Sequence, residues 1–86
     1  MLGRELDEKY MSMALEEAKL AGQKGEVPAG AILVKGDRVV AKEHNRCIEC
    51  SDPTAHAEIL VLRKGGKVLG NYRLNNTVVY VTAEPC

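Results

Sequence analysis

Ala29-Gly30-Ala31-Ile32-Leu33-Val34-Lys35-Gly36-Asp37-Arg38-Val39-Val40-Ala41 decides how this chain is organised. Side chains alternate between the two faces of a strand, and Ala29 to Val34 is apolar at every position. Such a strand is buried on both sides and belongs in the middle of a sheet. Lys35-Gly36-Asp37-Arg38 reads as a hairpin turn, because Gly36 adopts positive φ without a steric penalty. Val39-Val40-Ala41 then opens a second, antiparallel strand that turns polar at Lys42 and Glu43.

Upstream, Tyr10, Met11, Ala14, Leu15, Ala18 and Ala21 recur at spacings of three and four, which predicts a helix with one wide apolar face. Asp7 is the expected N-cap, with Glu8 beside it at the positive end of the helix dipole. Glu16, Glu17 and Lys24 fall on the polar side, Gly22 or Gly25 ends the helix, and Pro28 forbids continuation. This helix reads as a packing layer. Downstream of a loop from His44 to Ser51, Asp52-Pro53 predicts a second helix, with Asp52 as N-cap and Pro53 at the first helical position. That helix is expected to stop at Gly65-Gly66, and residues 67–76 form a connection. Thr77-Val78-Val79-Tyr80-Val81-Thr82 is a third strand, β-branched and apolar on both faces. The order is helix, strand, strand, helix, strand in one domain over residues 1–86, of α/β class, with no internal repeat or linker.

Composition narrows the classes of function. Among 86 residues, 12 acidic and 12 basic side chains balance, which argues against a nucleic-acid module or a membrane binder held mainly by positive charge. Hydrophobic residues make up 45%, enough for a globular core, and with neither Trp nor Phe that core is aliphatic. Three cysteines are too few for a disulfide scaffold and suit a reducing, cytoplasmic setting. No run approaches the ~18 apolar residues of a membrane span. The two-sided third strand asks for a neighbour on each edge, yet Cys86 follows it by four residues. The expectation is that the natural domain continues, and that these residues are its N-terminal part.

Two groups of residues carry chemistry. Thr54-Ala55-His56-Ala57-Glu58 stands at a helix N-terminus, and Ala83-Glu84-Pro85-Cys86 follows a buried strand. An imidazole and a thiolate suit zinc, and a carboxylate that is not a ligand can move protons beside it. A helix N-terminus lowers a thiol's pKa and so favours the ligating form. Residues two apart on an ideal helix point about 200° apart. His56 and Glu58 therefore reach one site only if they stand in the first turn. A rival reading uses Cys47-Ile48-Glu49-Cys50: Cys47, Cys50, His56 and Cys86 together would make the four-ligand site of a non-catalytic, zinc-stabilised binding module. Arg63, Lys64, Lys67 and Arg73 cluster at the end of the second helix, where cations favour the dipole and could also meet RNA phosphates.

His-Ala-Glu followed by Pro-Cys resembles the zinc-dependent cytidine and nucleobase deaminases, whose signature is H-x-E…P-C-x-x-C. Glu26-Val27-Pro28-Ala29-Gly30-Ala31, Asp52-Pro53-Thr54-Ala55-His56-Ala57-Glu58-Ile59, Asn71-Tyr72-Arg73-Leu74 and Tyr80 to Cys86 look most like the bacterial tRNA adenosine deaminase branch. The likeness covers nearly the whole chain from Tyr10 onward. It implies the N-terminal portion of a cytidine deaminase-like fold with three α/β/α layers. It also implies that His56 and Cys86 bind Zn2+. Glu58 would move protons from the attacking water, first to the base ring and then to the departing amine. Adenosine would become inosine at the wobble position of the tRNA anticodon arm. Asn45 would help hold the flipped nucleoside, and Val27, Pro28 and Ala29 would line its pocket, with Ala29 smaller than the aliphatic residue common there. Full-length members act as homodimers, and guanine or cytosine deamination is the alternative within the same motif. The pattern needs a second cysteine three residues beyond Cys86, so the 86-residue chain alone is expected to be inactive.

Overall fold

The structure is a computed structural model that describes residues 3–70 and 73–83. Helix α1 (Gly3–Gln23), strands β1 (Ala29–Lys35) and β2 (Arg38–His44), helix α2 (Ala57–Leu69) and strand β3 (Thr77–Ala83) follow in the expected order. The sheet order is β2-β1-β3, so the apolar strand is the central one. Both of its partners run antiparallel to it.

Strand parity assigns the two faces of β1 to the two helices. Ala29, Ala31 and Leu33 bury against Ala57 and Val61 of α2. Ile32 and Val34 bury against Tyr10 and Ala14 of α1. The result is the α/β/α layering implied by the resemblance. A register shift between Leu33 and Val34 marks a bulge opposite Val39 to Ala41. The extra residue lets consecutive Val40 and Ala41 both pack with the α2-side core. Tyr10, 2% exposed, meets Tyr80 with ring centroids 5.2 Å apart. Its hydroxyl donates to the Asp37 carbonyl at 3.2 Å, which ties α1 to the hairpin. The hairpin loop is Gly36-Asp37, with Gly36 at φ 64° as expected.

Three helix boundaries differ from the sequence expectation. α1 begins at Gly3, not after an Asp7 cap, because Arg4, Glu5 and Leu6 are good helix formers and extend it backwards. Its C-terminus closes in a Schellman motif: Glu26 N–H donates to Ala21 O at 2.9 Å and Gly25 N–H to Gly22 O at 3.1 Å, with Gly25 at φ 79°. α2 does not begin at Asp52-Pro53 but at Ala57, for reasons that bear on the site. Nor does it stop at Gly65-Gly66; it runs to Leu69 and ends on Gly70 in the left-handed conformation. Gly65 is buried, and a Cβ there would run into Leu33 Cδ2 of β1. The glycine that looked like a helix stop is a point of close approach between helix and sheet.

β3 pairs, among the described residues, with β1 alone, and Val78 and Val81 stay 52% and 42% exposed.

Candidate active site at the N-terminus of helix α2

The register brings one end of all three strands together. Ala29 stands opposite Ala83, and Gly30 opposite His44. The Val27-Pro28-Ala29 segment, Asn45 directly after β2, and the end of β3 therefore share one end of the sheet. Glu84, Pro85 and Cys86, which follow β3 in sequence, lie outside the described residues.

α2 starts late because two polar side chains compete for its first turn. The Asp52 carboxylate accepts from Thr54 N–H at 2.8 Å and from Thr54 Oγ at 2.7 Å, which makes an Asx turn rather than a helix cap. Ala55 N–H closes that turn on Asp52 O at 3.1 Å. The helix then begins afresh: Asn45 Oδ1 accepts from Ala57 N–H at 2.7 Å in a buried contact. Asn45, only 7% exposed, thus caps α2 from twelve residues upstream. Its orientation follows, since an amide N–H demands an oxygen opposite it; the carboxamide nitrogen is the donor left for other partners.

His56 becomes the N-cap residue, in extended conformation at φ −78° and ψ 152°, with no capping bond from its own side chain. This removes the objection from helix spacing. His56 stands just outside the helix and Glu58 within its first turn, so the two need not share a helical face. The His56 side chain is exposed, which leaves a ring nitrogen accessible to a metal. Val27 is half exposed, Pro28 is partly buried and Ala29 is buried at the same end.

Of the Cys47, Cys50, His56 and Cys86 alternative, only the first three lie among the described residues, and they are not grouped around one point. Among the described residues no three His, Cys, Asp or Glu side chains are grouped to hold a metal ion. Cys47 Sγ turns toward Pro53 O at 3.9 Å, and Cys50 is an exposed thiol. Arg63, Lys64 and Lys67 lie exposed along α2, with Lys64 Nζ 3.9 Å from Glu43 Oε2. A cavity of about 500 Å³ lined by Lys35, Arg38, Val39, Val40, Val68 and Leu69 lies at the hairpin end, away from His56 and Asn45.

Behind the site sits a polar layer that sequence reading did not find. Glu17, expected on the solvated face, packs against His44, which is 3% exposed. Lys24 Nζ, which can only donate, faces His44 Nε2 at 3.5 Å; His44 Nδ1 therefore carries the proton and donates to Glu17 Oε1 at 3.0 Å. Arg46 Nε donates to Glu43 at 2.9 Å and its terminal nitrogen to Glu49 at 2.7 Å. The hydrogen bond that Arg46 donates to Glu43 raises the Arg46 pKa, and the one it donates to Glu49 lowers the Glu49 pKa. Glu26, 6% exposed, accepts two backbone N–H groups of the 46–50 turn. The one signal in the sequence was position: Glu26 is a lone charge between a helix-ending Gly25 and apolar Val27-Pro28.

The Asx turn makes a pH prediction. Hydrogen bonds from the Thr54 hydroxyl and then the Thr54 backbone N–H hold the Asp52 carboxyl below its usual range. A lowered folded-state pKa contributes stability above the unfolded value, about 4, and loses it as pH falls through the folded value. Denaturant titrations of wild type and Asp52→Ala should therefore differ at pH 7 and converge at acid pH. An unchanged difference at pH 2 would contradict the assignment.

The chain belongs to the family described as "Cytidine and deoxycytidylate deaminase zinc-binding region", whose model matches residues 4–86. More particularly, it is 53% identical over 83 residues to the tRNA-specific adenosine deaminase of Haemophilus influenzae, covering 95% of this chain and 48% of that protein. A solved structure from studies of A-to-I editing by tRNA:A34 deaminases superposes with a TM-score of 0.85 at 50% identity, over 91% of this chain and 60% of the other. Guanine deaminase from Bacillus subtilis superposes with a TM-score of 0.83 at 38% identity, over 92% and 51%. The chain spans about half the length of the bacterial relatives it matches. No helix among the described residues is long and apolar enough to cross a membrane.

Proposed function

We propose that this chain is the N-terminal part of one zinc-dependent deaminase domain that converts adenosine to inosine in the tRNA anticodon arm. The observation that carries the reading is the late start of α2, which leaves His56 as an exposed N-cap with Glu58 in the turn behind it. His56 fits a metal ligand: its side chain makes no capping bond. His56 and Cys86 would hold Zn2+, which when bound would polarise water for attack on the base. Glu58 takes one proton from the attacking water to the ring nitrogen, where the product keeps it, and then carries the second proton, from the hydroxyl added to the base, to the amine, which leaves as ammonia. Asn45 donates from its carboxamide nitrogen to an acceptor on the nucleoside, because its oxygen is committed to Ala57. Val27, Pro28 and Ala29 form the wall against the base. The tRNA anticodon arm as partner, a homodimer as assembly and the cytoplasm as compartment go with this reading, supported by the likeness to tRNA adenosine deaminases.

Substitution of Asn45 separates its two roles. Asn45→Ala strands the buried Ala57 N–H and should cost about 1–3 kcal/mol of stability. Asn45→Asp keeps an acceptor at a helix N-terminus, so stability should survive, but it removes the donor and deamination should still be lost. Assayed in the full-length protein, adenosine in an anticodon stem-loop, free guanine and free cytosine are the substrates to compare. Full activity of Asn45→Asp would remove Asn45 from substrate binding, and turnover of guanine alone would replace the tRNA reading with the one the Bacillus subtilis structure favours.

A further inference from the structure

We propose that Glu26 is a positioning residue for the segment that presents His56. This rests on the zinc-deaminase reading above. Glu26 is itself anchored: its N–H closes the Schellman motif on Ala21 O, so its backbone moves with α1. Its carboxylate is buried, and its two oxygens take separate partners. Oε1 accepts from Ile48 N–H at 3.0 Å, and Oε2 from Glu49 N–H at 2.8 Å. Bonds from neutral N–H groups to a carboxylate are about twice as strong as those between neutral groups.

At its first residue the turn these bonds hold is also tied to β2 by the Arg46–Glu43 pair, but beyond Arg46 it has little else to keep it in place. Ile48 is 70% exposed, and Glu49 and Cys50 are exposed too, so apolar burial contributes little. The ion pairs of Arg46 with Glu49 and of Lys24 with Glu49 are solvent-accessible, and such pairs contribute weakly. Within the loop, Cys50 N–H donates to Arg46 O and Asp52 N–H to Cys47 O. Glu26 is the buried clamp that joins this self-bonded turn to α1.

The turn and Asn45, the residue just before it, are bonded to the two neighbours of His56. Arg46 N–H donates to Ala55 O at 2.9 Å, and Asn45 Oδ1 accepts from Ala57 N–H at 2.7 Å. His56 has no side-chain bond of its own at the cap, so these two flanking backbone bonds set where its imidazole stands. The residue after Glu26 is Val27, the start of the pocket wall. One carboxylate therefore ties the wall and the metal-ligand segment to the same helix. Supporting groups behind a metal ligand typically matter by 10- to 100-fold in metal affinity.

The test is Glu26→Gln in the full-length protein of which these residues are a part, read by amide hydrogen exchange without metal and by a zinc competition titration. Gln keeps one acceptor and turns its NH2 toward the other backbone donor, so one clamp bond is lost. Exchange should rise at Ile48 and Glu49 and, by about 10-fold, at Arg46 and Ala57, while the β1 amide of Leu33 is unchanged. Zinc should bind about 10-fold more weakly. Unchanged exchange at Arg46 and Ala57, or unchanged zinc affinity in a chain that binds zinc, would overturn the proposal. A rise of equal size at Leu33 would also overturn it, because Glu26 would then support the whole fold rather than one segment. If the full-length wild-type protein takes up no zinc, the deaminase reading fails, and the exchange at Arg46 and Ala57 still decides the positioning role.

Discussion

In the full-length protein, Glu58→Gln lowers deamination by about 10²- to 10⁴-fold, the range that a positioned acid–base group supplies. Gln has nearly the shape and volume of Glu and still fits the first turn of α2, so folding and zinc content should be unchanged. It cannot take a proton from water or return one to the base. Activity, circular dichroism and metal analysis on the same preparation separate the proton-transfer role from a structural one. Retention of more than a tenth of the wild-type rate would remove Glu58 from proton transfer. Loss of zinc along with activity would recast it as a ligand.

Gly30→Ala lowers stability by about 3 kcal/mol, at the upper end of the cost of overpacking. Gly30 faces α1 across β1. A Cβ there would overlap the carbonyl oxygen of Ala14 and stand 2.7 Å from Ala18 N and 2.8 Å from Glu17 Cβ. The first two are backbone atoms of a helix, which cannot rotate aside, so α1 must lift from the sheet. Ala14, Ala18 and Ala21 are all fully buried on that face, which is why the helix comes so close. Small domains have only about 5–15 kcal/mol in total, so the loss is a large fraction. Gly36→Ala is the informative control. It has open space around the new Cβ and a positive φ, so it pays only the left-handed backbone penalty of about 1–2 kcal/mol. Urea unfolding midpoints of the two variants should differ in that order, and equal midpoints would count against the close-packing account.

Much of the fold was legible because its signals are local. β1 is central because six consecutive apolar residues leave no face for water. Gly36 turns the hairpin because its neighbours need positive φ there, and α1 shows its apolar stripe at helical spacing. The helix ends were less legible. Asp52-Pro53 is a sound start signal, but the Asp52 side chain is satisfied within its own turn and caps nothing further. Gly65-Gly66 is a sound stop signal, but burial against Leu33 of β1 outweighs the helix cost of glycine.

The site divides in the same way. His56 and Glu58 could be singled out from residue type and order, but the way both belong to one helix terminus could not. That depends on Asn45, whose oxygen takes Ala57 N–H and moves the N-cap to His56. Glu17 is expected on the solvated face and Glu26 has no structural role assigned from sequence, yet one meets a buried imidazole and the other two backbone N–H groups 22 and 23 residues away.

From its own residues, then, the chain determines the order of its elements, its central strand and the chemistry of its motif. These depend on hydrophobic period, turn stereochemistry and side-chain type, which act between near neighbours. Only the tertiary structure decides where α2 begins and which polar groups are buried, and hence how His56 is held. A backbone N–H at a helix start or in a turn takes whichever acceptor the fold brings to it, and here those acceptors, Asn45 and Glu26, come from distant points in the sequence.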